Sequence, residues 1–297
     1  MEKEEIIKSA GEILGINTTG ELLDPRFDYV FKRIFTAQEE QSKIALIDFL
    51  NSILTGRNEN IVDLTVINNE MPVESYQRKK SRFDIRTIFE NGEQALVEME
   101  FKLKDNFFKR SLHNVSRLYS SQAINRLDYH SLKKSYMVGV MGYNLLDDSF
   151  GYLNTFSFRD KQGRELSDDM QIIYIELEKT AYLLEKPIEE LTNAECWALF
   201  LKYASYNDKQ SVLEKISAKN GGVRMAVDVL KYISKSEIER IAYEDEILAE
   251  IDQEAEYDYR LKKEKIEMAK EMLSDGEPIP KIIKYTKLTK AEIEKLM

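Results

Sequence analysis

The stretch that decides the fold spans residues 82–102 and reads RFDIRTIFENGEQALVEMEFK. Two runs in which apolar and polar residues alternate flank an Asn-Gly pair, which is a strong signal for a β-hairpin. In the second run the odd positions 95–101 are apolar and share one face of a strand, whereas Glu98, Glu100 and Lys102 share the other. The sequence therefore predicts a hairpin that carries a row of charged side chains along one face.

The register of this hairpin follows from its loop. A three-residue loop, with Gly92 left-handed in a bulge, pairs Phe89 with Glu93 and keeps the polar and apolar faces apart. A two-residue loop would mix the faces, because a slip of one residue turns every side chain to the other side. The favoured register places Asp84 opposite Glu98. It predicts three further pairs: Ile85 with Val97, Phe83 with Met99, and Arg82 with Glu100.

Asp84 and Glu98 would repel each other in this register, because directly opposed residues have Cβ atoms about 4.5–5.5 Å apart. A divalent ion with oxygen ligands, Mg2+ or Mn2+, would remove the conflict. Glu100 is a candidate third ligand or a base for water, and Lys102 is a candidate cation for a phosphoryl transition state. The alternative is an ordinary solvent-facing pair of strands whose charged residues form cross-strand ion pairs.

The composition excludes several other kinds of site. The chain has 297 residues, 1 cysteine and 2 histidines, which rules out an internal disulfide and Cys-rich or His-rich metal centres. Any metal would need oxygen ligands, as Mg2+ prefers. We find no apolar run of the roughly 18 residues that a membrane helix needs. Because the N-terminus is charged and lacks an apolar secretory segment, we expect a cytoplasmic protein without a membrane partner.

The charge is unevenly distributed along the chain. The formal net charge of -10 argues against a nucleic-acid partner if it is spread evenly. Residues 76–134, however, hold 13 Lys and Arg against 7 Asp and Glu, whereas residues 237–275 hold 6 against 14. The segment with the hairpin is therefore basic enough for DNA, and we expect weak, salt-sensitive binding through a limited basic surface.

The periodicity changes along the chain and predicts a mixed α+β (α/β) fold, with a mixed sheet flanked by helices and a C-terminal all-helical region. Strand patterns occupy 61–67, 81–90, 94–102, 136–141 and 171–177. Helical patterns occupy 3–14, 29–35, 44–54 and 107–126 in the first part, and 191–203, 212–218, 223–233, 238–273, 279–285 and 290–296 in the second. The predicted domains are an N-terminal helical segment (1–20), a sheet domain (21–185) and a helical region (186–297).

Four blocks of sequence resemble the Rpn family, the recombination-promoting nucleases and putative transposases of the PD-(D/E)xK nuclease superfamily. The blocks are LLDPRFDYVFKRIF at 22–35, Asp84 with VEME at 97–100, FKR at 108–110 with RLYSSQ at 117–122, and IELEK at 175–179. The resemblance covers about residues 20–180. The last two helices are also similar to tails seen in this family.

The resemblance implies a restriction-endonuclease-like core and metal-dependent cleavage of DNA. Asp84 and Glu98 would be the metal ligands. Asp28 would be a further acidic site residue and metal ligand or, alternatively, a helix cap. The implied DNA contacts are Lys79, Lys80 and Arg110, and the alternative for Arg110 is a helix-surface salt bridge. Glu100 departs from the family pattern, because most members of the family have Gln at this position and many other nucleases have Lys. Lys102 or Lys80 are candidates to supply the donor that Glu100 lacks.

Three functions are left as hypotheses. The first is a divalent-metal-dependent DNA endonuclease linked to mobile elements, recombination or phage defence, in the prokaryotic cytoplasm and nucleoid-associated when bound to DNA. The second, suggested by Glu100, is a catalytically degenerate nuclease fold that binds DNA or protein. The third is a homo-oligomer built on the C-terminal helices.

Overall fold

The computed structural model describes residues 2–18, 20–54, 56–57, 59–67, 85–102, 106–122 and 129–297. The strands are β1 (Leu64–Ile67), β2 (Ile85–Phe89), β3 (Gln94–Glu100), β4 (Ser135–Met141), β5 (Leu153–Arg159) and β6 (Glu165–Glu176). The helices before and within the sheet are α1 (Glu2–Leu14), α2 (Asp28–Ile34), α3 (Glu39–Ile53) and α4 (Phe107–Ser120). The helices after it are α5 (Asn193–Tyr203), α6 (Gln210–Lys219), α7 (Gly221–Ser234), α8 (Glu237–Ser274), α9 (Ile279–Thr286) and α10 (Lys290–Glu294).

The six strands form one mixed sheet in the order β1-β2-β3-β4-β6-β5. The β1–β2, β2–β3 and β6–β5 pairs are antiparallel, whereas β3–β4 and β4–β6 are parallel. Parallel neighbours need a crossover connection, and α4 supplies it between β3 and β4. This arrangement confirms the predicted mixed α+β class with a helical C-terminal region.

One tryptophan organises the packing of the helices around it. The Trp197 ring lies 5.8 Å from that of Phe35 and 5.3 Å from that of Phe49, between centroids. Its Nε1 donates to Asp48 Oδ2 at 2.7 Å, which satisfies the indole N–H. Cys196 beside it is buried as well. Cys196 and Trp197 therefore both pack in the core.

The sheet differs most from the sequence prediction at its β5 edge. The sequence predicts no strand at β5, which lies at the edge of the sheet and is mostly exposed. The partner strand β6 begins at Glu165, six residues before the predicted start, because its first half pairs only with β5. A strand without a buried face carries a weak hydrophobic pattern. The helix α4 ends at Ser120, within the predicted range 107–126.

The chain divides into two compact units, residues 16–243 and residues 2–15 with 244–297. The larger contains the whole sheet and α2–α7. In the smaller, α9 and α10 pack on the end of α8 through Ala269, Ile282, Leu288 and Ile293. The predicted domain division at residues 20 and 185 stays a prediction. None of the helices in the described part of the chain is long and apolar enough to span a membrane.

Candidate active site

The predicted hairpin is present with the predicted register. Ile85 pairs with Val97, and the Phe89 N–H donates to the Glu93 carbonyl at 2.8 Å. Gly92 has φ +85°, the left-handed conformation that the bulge requires. The register is confirmed from residue 85 onward. The predictions for Asp84, Lys79 and Lys80, and the pairs of Arg82 and Phe83, lie outside the described residues.

The strand β3 places two glutamates on one face at the centre of the sheet. Glu98 lies beside Gly139 of β4, and Glu100 lies beside Met141. Their residues are only 5% and 2% exposed. Carboxylates are rarely buried without a partner, so the solvent-facing alternative does not describe these two residues.

The helix α4 covers this face at close range. A Cβ built on Gly139 would lie 2.9 Å from Cζ of Phe107, so the absence of a side chain at 139 lets the first turn of α4 approach the sheet. Phe107 and Tyr174, which lies next to Gly139 on β6, are both buried. Val115 and Leu118 continue the buried face of the helix. The carboxylates therefore lie beneath α4, towards the C-terminal end of β3.

Two polar residues of α4, one turn apart, contact the two glutamates. Asn114 Nδ2 donates to Glu98 Oε1 at 2.6 Å. Arg110 Nη2 donates to Glu100 Oε1 and lies 3.5 Å from Glu98 Oε2. The Arg110 guanidinium also lies 5.0 Å from the centroid of the Phe107 ring. Arg110 therefore pairs with buried carboxylates of β3 instead of forming a salt bridge on the helix surface. Its phosphate contact stays a prediction.

The spacing of these contacts has a simple geometric origin. Four residues of an α-helix rise about 6 Å, and two residues of a β-strand rise about 6.6 Å. A helix lying along a strand can therefore match residues i and i+4 to residues j and j-2. This match pairs Arg110 with Glu100 and Asn114 with Glu98.

The phenols around the glutamates are held in their neutral form. Burial raises the pKa of Tyr143 above its ordinary value, and the negative charge of Glu100 adds to this effect. Burial likewise raises the pKa of Tyr174, with a smaller contribution from Glu98. Both side chains therefore stay protonated at neutral pH.

The remaining predicted site residues lie at the margins. Asp28 is half-buried and is the first residue of α2 rather than its N-cap, which is Phe27. The Phe27 ring stacks on Phe101 at 4.7 Å, just beyond the end of β3. Lys102 follows Phe101 and is half-buried. The functional roles of Asp28 and Lys102 stay predictions.

The first and fourth blocks of the family resemblance meet in the structure. Arg26 and Asp24 form a buried bidentate pair, with Arg26 Nη2 2.7 Å from Asp24 Oδ2. Arg26 Nη1 lies 3.9 Å from Glu178 of the fourth block. Glu178 also accepts from Lys202 of α5. These blocks carry structural ion pairs that join the chain before α2 to the helix after β6.

Glu176 of the fourth block is fully buried and has a structural role that the sequence did not indicate. Its Oε1 accepts from the backbone N–H groups of Leu145 and Leu146 at 2.5 and 2.9 Å. Its Oε2 lies 3.0 Å from Nζ of Lys179, which also donates to the carbonyl oxygen of Asp147. Glu176 and Lys179 therefore fix the loop that follows β4.

The site's donor set fits a hard divalent ion only in part. Glu98 and Glu100 supply the carboxylate oxygens that Mg2+ or Mn2+ prefers. Across the ranges that the structure describes, no group of three or more Asp, Glu, His or Cys side chains is arranged to hold a metal ion. Of the other predicted ligands, Asp84 lies outside those ranges. The described residues of the hairpin therefore supply Glu98 and the candidate ligand Glu100, but not Asp84.

Comparison with known proteins gives one result. A family model described as PD-(D/E)XK nuclease family transposase matches residues 25–260. Searches of curated proteins and of solved structures found no significant match. The matched range contains the whole sheet, α4 and both glutamates of the site. The chain therefore belongs to the PD-(D/E)XK nuclease family of transposases.

Proposed function

We propose that the chain is a divalent-metal-dependent DNA endonuclease of the transposase type, acting in mobile-element movement, recombination or phage defence. The observation that carries the proposal is the pair of buried carboxylates, Glu98 and Glu100, at the centre of the sheet under α4. Burying two carboxylates costs several kcal/mol unless they are compensated. Arg110 and Asn114 compensate part of this cost, and buried carboxylates beside a specific charged partner are frequent at sites that do chemistry.

Glu98 and the predicted partner Asp84 would hold Mg2+ or Mn2+. When bound, such an ion stabilises the charge that develops on a phosphate and makes a water molecule more acidic. Asn114 holds one oxygen of Glu98 by its hydrogen bond and so fixes the orientation of the carboxylate. In hydrolysis the water oxygen forms a bond to phosphorus, the phosphorus–oxygen ester bond breaks, and the leaving oxygen takes up a proton.

The proposed DNA contacts lie on the basic segment that includes this site. These contacts are Lys79, Lys80 and Arg110. Lys102 would be a further cation at the site, and Asp28, which lies earlier in the chain, a further acidic residue. Location in the cytoplasm and at the nucleoid belongs to the same proposal, as does assembly through the C-terminal helices. Light scattering of the purified chain, with and without residues 244–297, would test the assembly.

Cleavage of supercoiled plasmid in Mg2+ or Mn2+ tests the proposed activity. We expect nicking by the wild type and its loss in Asp84→Asn and Glu98→Gln, both of which preserve side-chain size. Glu185→Gln is a matched control, because Glu185 is exposed and lies at the end of a 3-10 helix. Equal nicking by wild type, Asp84→Asn and Glu98→Gln would show that these carboxylates are not the active site.

The second candidate is a degenerate nuclease fold that binds DNA without cutting it. Glu100 favours it, because a carboxylate at this position cannot donate to a phosphate oxygen unless it is protonated. Retained DNA binding with no nicking in either metal ion would support this candidate over the first.

A further inference from the structure

Position 100 lacks the donor that the family pattern places there, yet a donor lies next to it. Glu100 accepts a hydrogen bond from Arg110 Nη2, and the same nitrogen lies 3.5 Å from Glu98 Oε2. The positive charge at this point of the site therefore comes from α4 rather than from β3. A guanidinium has five N–H donors in a fixed plane, which suits a phosphate as well as a carboxylate.

Contacts with Phe107 and Glu100 fix the position of Arg110. Its guanidinium lies over Phe107, 5.0 Å from the ring centroid, and Phe107 is itself packed over Gly139. Glu100 is 2% exposed, so the carboxylate that holds the guanidinium has little freedom to move. The Arg110 side chain is 29% exposed. The group is therefore held from inside the protein and still accessible to a ligand from outside.

We infer that Arg110 supplies to the DNA phosphate the positive charge that residue 100 lacks, and that Glu100 is the residue that positions it. This inference rests on the proposed nuclease function. The pair Glu100–Arg110 would do together what a single lysine or glutamine does in the family pattern. Glu100 then does not mark a degenerate site.

A purely structural ion pair is the competing account. In that account Arg110 only compensates two buried carboxylates, and the chemistry depends on other groups. The two accounts predict different cleavage rates when a positive charge is returned to position 100. If Arg110 acts on the phosphate, a lysine at 100 makes Arg110 dispensable and restores the cleavage rate beyond what the recovered urea midpoint explains. If Arg110 only compensates the carboxylates, that lysine restores the rate only as far as it restores the urea midpoint.

The experiment compares single-turnover plasmid cleavage in Mn2+ by wild type, Arg110→Ala, Glu100→Lys with Arg110→Ala, and Arg110→Lys. Arg117→Ala is the matched control, because Arg117 lies on the exposed side of the same helix. We expect Arg110→Ala to lower the rate by about 100-fold or more, as loss of one transition-state donor does. We expect the double variant to cleave at least about tenfold faster than Arg110→Ala. Arg110→Lys should cleave at a rate between those of Arg110→Ala and the wild type.

Two further measurements separate chemistry from folding and from binding. DNA affinity in Ca2+ and the urea midpoint are recorded for every variant, and we expect the rate to fall far more than the affinity. Titration with Mn2+ alone, without DNA, supplies a readout that does not depend on cleavage. We expect Arg110→Ala to bind Mn2+ more tightly, because it removes a positive charge 3.5 Å from a Glu98 oxygen.

The outcomes distinguish this inference from the function on which it rests. If the wild type cleaves and folded Arg110→Ala cleaves equally well, the inference fails and the proposed function stands. The inference also fails if the double variant is folded and no faster than Arg110→Ala. If the wild type cleaves no DNA with either metal ion, the proposed function fails and the inference fails with it.

Discussion

Gly139 is the position at which one added methyl group tests how closely α4 covers the sheet. A Cβ at this residue would lie 2.9 Å and 3.3 Å from Cζ and Cε1 of Phe107, and 3.2 Å from Cδ1 of Tyr174. Both rings are 2% exposed, so neither has free space into which it can move. Overpacking a core costs about 1–3 kcal/mol, and we expect Gly139→Ala to fall within this range.

Urea denaturation followed by the fluorescence of Trp197, the chain's single tryptophan, measures this cost. In a unit of this size each kcal/mol shifts the melting temperature by about 2–4 °C, so a fall of about 2–12 °C should accompany it. Gly151→Ala is the control, because nothing lies within 4 Å of a Cβ at that position. Its stability should stay within about 0.5 kcal/mol of the wild type.

The same clash predicts coupling between two positions. Because the closest atom belongs to Phe107, the cost of Gly139→Ala should fall by about 1 kcal/mol in a Phe107→Leu background. We also expect Gly139→Ala to slow cleavage, since it moves α4 away from Glu98. A Gly139→Ala protein as stable as the wild type, or an equal cost in both backgrounds, would refute the reasoning.

Three further predictions concern ion pairs and a helix cap. Arg26→Met should lower the free energy of unfolding by about 3–5 kcal/mol, because it leaves the buried Asp24 carboxylate without its bidentate partner. Urea denaturation measures this loss, and a negligible loss would contradict the prediction. Burial by itself raises the pKa of Glu239, but the hydrogen bonds from Arg33 and Tyr29 and the charge of Arg33 together outweigh it and hold the pKa below the ordinary 4.5. Because the pKa of Glu239 is depressed in the folded protein, its ionised form stabilises the fold above about pH 4.5, and this contribution is lost as the pH falls through the folded pKa. Glu239→Gln should therefore make the free energy of unfolding less dependent on pH in the acid range. An unchanged pH dependence would contradict the assignment. Thr289→Ala should cost about 1 kcal/mol by removing the capping box of α10, visible as faster amide exchange there and no change in the sheet.

The hairpin could be predicted in detail because its determinants are local. The Asn-Gly pair, the alternation on both sides and the cost of mixing faces together select one register, and the pairing of Ile85 with Val97 confirms it. The burial of Glu98 and Glu100 could not be predicted from the strand alone. It depends on α4, which lies further along the chain and covers that face of the sheet.

The contacts of Arg110 and Asn114 show a second limit of prediction from the sequence. Each residue is one turn from the other on a helix that the sequence predicts, but a helical pattern does not state which strand the helix will cover. A combined pattern of polar residues at i and i+4 on the crossover helix, with acidic residues at j and j-2 on the preceding strand, would have predicted both contacts. The edge strand β5 escapes prediction for the opposite reason, since few of its side chains contact the core.

The close match between four residues of α4 and two residues of β3 has a consequence for how this protein can change over time. Replacing Glu100 alone would leave Arg110 without the acceptor of its hydrogen bond, and replacing Arg110 alone would take this cation away from two buried carboxylates beneath the helix. The same holds more weakly for the hydrogen-bonded pair of Glu98 and Asn114. We therefore expect residues 100 and 110 to covary among relatives of this chain, although one lies on a strand and the other on a helix.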